Sequence, residues 1–150
     1  MQNNELRTDR IIIIILVFIL IVFISVIANS QTYTVTGTYY NPVKAQCDGN
    51  PLRTADNSII NLKLLEQRKI KWVALSRNLL NRWGGPFYYG DTIQIECKDS
   101  SYNGKWVIHD TMNARFTDHI DFLVSSKNSF PGRIRNIEIK KWQKRENTEQ

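Results

Sequence analysis

Sulfur and imidazole are scarce in this chain: of 150 residues, two are cysteine, two histidine and two methionine. Cys47 and Cys97 form no Cys-x-x-Cys pair and no other zinc spacing, so neither a zinc site nor dithiol redox chemistry is expected. Sequence repeats of the solenoid kind are missing. So is the strand–helix rhythm of a parallel α/β domain, and both architectures are excluded. No cofactor is implied. Long apolar runs are lacking too, with one exception: residues 11–27, IIIIILVFILIVFISVI, interrupted only by Ser25.

That run follows Arg7 and Arg10 and precedes Ala28-Asn29-Ser30, small residues at the spacing a signal peptidase accepts. Residues 1–30 are therefore expected to be a signal peptide or an N-terminal membrane anchor, a hydrophobic helix that holds the membrane through residues 11–27 if it is not cleaved. Either way the rest is exported: periplasmic, membrane-anchored or extracellular. Removing residues 1–30 takes Arg7 and Arg10 together with Glu5 and Asp9, leaving 18 basic and 12 acidic residues, still +6. Such a surplus suits an anionic partner or simple solubility, and export argues against nucleic acid. Residues 143–150 read as a charged tail. An even cysteine count in an oxidising compartment allows one disulfide.

Between the leader and the tail, residues 31–142 form one domain, expected to act as a monomer. Strand patterns fall at Thr32–Tyr40, Lys71–Leu75, Thr92–Cys97, Lys105–Asp110, Ile120–Val124 and Arg133–Lys140. A short helix is predicted near 61–69 behind an Asn61 cap, and a helical turn at Arg77–Arg82. Residues 41–57 and 83–91 carry loop and turn chemistry. The result is a mainly β fold, a compact barrel of six short strands with one or two short helices.

Chemistry concentrates in HDTMNARFTDHIDF, residues 109–122, which holds three aspartates and both histidines. Strict alternation along Lys105–Asp110 puts Asp110 on the face of Trp106 and Ile108 and turns His109 away. A strand-end carboxylate beside core residues is partly desolvated, which raises its pKa as a general acid requires. Asp121 opens the next strand, and a connection of that length can return it to the same rim. Two carboxylates in unlike surroundings can divide acid and base roles on a glycosidic bond. The plainer alternative is an aspartate that ends a strand by bonding nearby backbone N–H groups. His109, Asp110, His119 and Asp121 include enough metal donors in number, but their spacing fits no zinc motif, and no metal is expected.

Aromatic residues near expected loops, Tyr39, Tyr40, Trp83 and Tyr88, are candidates for stacking on sugars, whereas Trp72 and Trp106 on strands read as core. Arg53, Arg77 and Arg115 are available to pair with anionic groups or to stay solvated.

The segment from Asp110 to Asp121 resembles the signature of the three-aspartate (3D) domain, D-T-G-G-A-I-x-G-x-x-I-D, at Asp110, Thr111, Ala114, Ile120 and Asp121. CDGNPLRTADN (47–57), KWVALSRNLL (71–80) and PFYYGDTIQI (86–95) are similar, in the same order, to further elements of that family and of its rare-lipoprotein-A-like relatives. The resemblance covers residues 33–140. It implies a six-stranded double-psi β-barrel acting on peptidoglycan or a related glycan, as in lytic transglycosylases of membrane-bound type A. In those enzymes one aspartate serves as acid and then base, while the sugar's own C6 hydroxyl attacks to leave an anhydro product. Carried over, Asp110 and Asp121 are the acid/base and its supporting carboxylate, with Asp110 favoured as the acid and Thr111 beside it in the groove. The family's first aspartate aligns with Ser76, which offers only a hydroxyl, and Asp56 stands where it could replace the missing carboxylate. The family's Gly-Gly is Met112-Asn113 here, and its Gly after Thr-Ala-x is Asn57, a residue that tolerates left-handed backbone. A non-catalytic, expansin-like glycan- or wall-binding barrel is the alternative.

Overall fold

The computed structural model describes residues 11–21, 31–47 and 49–143. The chain divides into two units, Met1–Gln31 and Thr32–Gln150. In the first, residues 11–21 form a helix, α1, with its apolar side chains exposed. Among the described residues no helix is long and apolar enough to cross a membrane. The small residues 28–30 and tail residues 144–150 lie outside the described residues.

In the second unit, six strands carry the fold: β1 (Thr32–Tyr40), β2 (Trp72–Leu75), β3 (Thr92–Glu96), β4 (Gly104–Thr111), β5 (His119–Leu123) and β6 (Ile134–Lys141). They close into a barrel in the order β1-β5-β2-β4-β3-β6. The β1/β5 and β2/β4 pairs are parallel, and the other four are antiparallel. Alternation explains what fills the interior. On β3 it turns Ile93 and Ile95 inward, and Val73, Leu75, Ile120, Phe122, Ile137 and Ile139 join them fully buried. Phe122 lies at the centre, with Trp106, Tyr102 and Phe130 ring centroids 4.8, 5.1 and 5.6 Å away.

Two strands depart from strict alternation. On β6, Ile134 and Ile137 are both buried, although a regular strand would turn them to opposite faces; Asn136, at φ 58°, absorbs the difference. On β4 the register against β2 shifts, with Val73 opposite Ile108 but Ala74 opposite Asp110, so His109 is the extra residue of a bulge.

A second apolar cluster lies outside the barrel wall: Tyr40, Ile60, Leu65, Ala74, Met112 and Leu123, with Cys47, Ile70, Trp72 and Phe116 against it. The segment after β1 covers this face. Its helix α2 is shorter than expected, Leu62–Glu66, capped by the Asn61 side chain. Arg68 at φ 55° turns the chain out of it, and Leu65 alone of its residues is buried. No disulfide joins the cysteines: Cys47 Sγ–H donates to Asn41 O (3.5 Å) beside the outer cluster, and Cys97 Sγ–H to Asp99 O (3.1 Å) beside the inner one.

Candidate carboxylate site

The register brings four residues into one row across the outer face. Thr38 pairs with Asp121, Asp121 with Ala74, and Ala74 with Asp110. Directly paired residues point to the same face, so Asp121 and Asp110 flank the methyl of Ala74. Two strand spacings separate their backbones, about 10 Å. Ala74 is itself buried, packed with Tyr40, whose hydroxyl reaches across the row to Asp110.

This placement corrects the expected orientation of β4. Asp110 does not share a face with Trp106 and Ile108; the bulge at His109 rotates it to the outer face. His109 is turned the same way rather than away from it, because consecutive residues of the 54–58 turn meet both: Ala55 N–H donates to Asp110 and Asp56 contacts His109.

The two carboxylates have unlike surroundings. Asp110 accepts three hydrogen bonds, from Ala55 N–H (3.0 Å), Thr111 N–H (2.9 Å) and the Tyr40 hydroxyl (3.1 Å). Burial still raises its pKa, with the nearby Asp56 charge adding to that and the three donors opposing it. Asp121 accepts one side-chain hydrogen bond, from Thr38 Oγ1 (2.8 Å). Burial first, and then the negative charge of Asp110, push its pKa up to about 6, against the opposing Thr38 bond. Burial and the neighbouring Asp110 raise the Tyr40 phenol well above its ordinary value, which keeps it a donor. Burial thus favours the protonated form of both, more strongly at Asp121, while Asp110 is the better supplied with hydrogen-bond donors.

Asp56 lies close enough to Asp110 for its charge to act on it, but it is engaged. Its Oδ1 accepts from Thr54 Oγ1 (2.7 Å) and Ser58 N–H (3.0 Å), and its Oδ2 lies 2.6 Å from His109 Nδ1. These bonds outweigh burial and hold its pKa below the usual value. Ser58 Oγ is 3.0 Å from the same His109 nitrogen, and the His109 ring packs on Trp72 with centroids 4.1 Å apart. Asn57 takes the left-handed conformation, φ 72°, that its alignment with glycine implies, whereas neither Met112 nor Asn113 has positive φ.

Several candidates lie elsewhere. Ser76 is fully enclosed, donating to Asn78 Oδ1 (2.8 Å) and accepting from His119 N–H (3.0 Å); it ties β2 to β5 and offers nothing to a ligand. Tyr39 and Tyr40 point to opposite faces: Tyr40 reaches Asp110, while Tyr39 packs on Phe130, 4.8 Å away. The Trp83 ring carries the guanidiniums of Arg77 and Arg82, and exposed Tyr88 packs near the Lys141 ammonium. Thr111 lies at the site through its N–H to Asp110. His119, two residues before Asp121 on the same face of β5, lies close enough to oppose the rise of that carboxyl, with its Nδ1 2.6 Å from Thr117 O; among the described residues no cluster of three or more metal-ligating side chains occurs. Thr38, which the sequence did not single out, completes the surroundings together with His109 and with Tyr89, whose hydroxyl bonds Thr111 and feels the charges of Asp110, Arg82 and Asp56. The alternation of β1, which sets Thr38 and Tyr40 on one face, was the available signal for Thr38.

No family model matches the chain, and no curated protein matches it. Among solved structures, the Streptomyces papain inhibitor is similar at 20% identity and a TM-score of 0.46, over 73% of this chain and 93% of that one. Likeness at that level does not bear on function.

Proposed function

We propose that this is an exported cell-wall protein with a double-psi barrel of the three-aspartate type, and that it cleaves glycan strands by carboxylate acid/base chemistry. The observation that carries the reading is the Asp121–Ala74–Asp110 row: two half-buried carboxylates on one face, Asp121 with its pKa pushed up to about 6 by burial and Asp110 held by three hydrogen-bond donors. In this scheme Asp121 delivers its proton to the glycosidic oxygen as the C1–O bond breaks. The C6 hydroxyl of the same sugar then bonds to C1, and its proton passes to the Asp121 carboxylate, so the acid is regenerated and no water is consumed. Asp110, fixed by Ala55, Thr111 and Tyr40, supplies the negative charge that raises Asp121 and balances positive charge developing at C1. These surroundings support Asp121 as the acid, the reverse of the preference drawn from strand-end position.

One observation favours the alternative of a binding barrel: Ser76 is sealed in the interior, so the family's first aspartate has no counterpart in the groove. Digestion of purified sacculi by the full chain, with mass spectrometry for anhydro-muropeptides, separates the two. Release by wild type and none by Asp121→Asn supports the enzyme. Binding with no release by wild type sinks it and leaves the module.

A further inference from the structure

The connection between β2 and β3 carries a feature that the carboxylate chemistry does not use. Two 3-10 turns, Arg77–Leu79 and Asn81–Trp83, are anchored by Leu79, Leu80 and Phe87, all buried. Leu80 bridges Phe87, Phe87 N–H donates to Leu79 O (3.0 Å), and Asn81 N–H donates to Phe87 O (2.7 Å). Gly85 N–H closes on Leu80 O (3.0 Å), and a Cβ at Gly85 would collide with the Leu79 carbonyl group. The turn is thus fixed from inside by packing and hydrogen bonds.

Its outer surface presents a different chemistry. The Trp83 ring is 40% exposed, with the Arg77 and Arg82 guanidinium carbons 5.1 and 5.3 Å from its centroid. Two like charges are therefore held within about 10 Å of each other, a distance comparable to the screening length at physiological salt. Among the described residues neither guanidinium has a carboxylate within ion-pair distance. The nearby Asp118 is taken by Asn78 Nδ2 at 2.7 Å. Both guanidiniums lie over the indole and belong to exposed residues, so their N–H donors are available to a planar oxyanion. Arg82 lies near the Tyr89 hydroxyl, which bonds Thr111 next to Asp110.

We propose that Arg77 and Arg82, clamped on Trp83, form an anion subsite that grips a carboxylate carried by the glycan strand seated at Asp110 and Asp121. The subsite gives the molecule selectivity for acidic glycans over neutral ones, and it deepens the reading above, on which its placement of the strand rests. Sugar stacking on Trp83 is replaced by salt-dependent recognition of charge.

The test is co-sedimentation of the full chain, in detergent, with insoluble sacculi. Three preparations are used: untreated, carboxylates amidated with carbodiimide and ammonia, and phosphodiester-linked polymer stripped with hydrofluoric acid. Binding that falls at least tenfold on amidation and survives stripping is the expected result. Loss on stripping alone overturns the carboxylate assignment. The Arg77→Gln/Arg82→Gln variant should bind untreated sacculi at least tenfold more weakly with an unchanged thermal midpoint; wild-type binding by this variant overturns the subsite. The Arg77→Lys/Arg82→Lys pair keeps the charge and loses the fork, so wild-type affinity there also overturns it in favour of net charge alone. If wild type binds in this carboxylate-dependent way but releases nothing, the cleavage reading fails and the subsite stands.

Discussion

Replacing Asp121 with asparagine should stabilise the protein at neutral pH and do nothing for it in acid. The side chain is half-buried, and burial with the Asp110 charge lifts its pKa from 3.8 to about 6. A carboxyl raised in the folded state binds its proton more tightly there than in the unfolded chain. Its contribution is fully present below about pH 4 and is lost as pH rises through about 6. A shift of roughly 2 units corresponds to about 3 kcal/mol as an upper limit. Asparagine does not titrate, yet its carbonyl can still accept the Thr38 hydroxyl that Asp121 accepts at 2.8 Å. At pH 7.5 the variant should therefore gain up to about 3 kcal/mol, on the order of 10 °C in thermal midpoint for a domain of this size. At pH 4 the two midpoints should coincide. Calorimetric scans of both proteins at pH 4, 5, 6 and 7.5 measure the difference directly. A gain that is absent at pH 7.5, or equal at every pH, would refute the claim that Asp121 is desolvated in the native state.

Glycan release should decline as pH rises past about 6, where Asp121 loses its proton, and Asp110→Asn should move that limb to lower pH by removing the charge that helps raise it; muropeptide yield against pH reads both. Ala74→Leu should overpack the cluster of Tyr40, Met112 and Leu123 between the carboxylates, displacing Tyr40 and lowering release while costing about 1–3 kcal/mol of stability, measured by denaturant unfolding. His109→Ala should cost about 1–3 kcal/mol by freeing the 54–58 turn that Asp56 and Ser58 fasten to it, and faster amide exchange at Ala55 would show it. Gly85→Ala should be among the most destabilising single changes, by about 3 kcal/mol or more, because the atom it would strike is backbone.

Much of the fold was legible because strand periodicity is a local signal. Ile93 and Ile95 alternate with polar neighbours, and all six strands form close to their expected positions. The helix was overread: Leu62 and Leu64 suggest an apolar face, yet both are exposed, and only Leu65 finds a packing partner below it. The site was half legible. The interval from Asp110 to Asp121 suggested a pair, but alternation turned Asp110 to the wrong face, because a bulge depends on which strand lies alongside. Nothing local to Lys105–Asp110 records that β2 will slip by one residue between Val73 and Ala74.

The sequence by itself determined the composition of the barrel, the apolar run at 11–27 and the presence of two aspartates on separate strands, since each follows from side-chain chemistry and short-range pattern. Tertiary structure decided how strongly each aspartate's pKa is raised. That depends on donors brought from distant segments: Ala55 and Tyr40 reach Asp110, while Thr38 alone serves Asp121. A carboxyl's proton affinity follows from its surroundings, and those exist only once the sheet has closed.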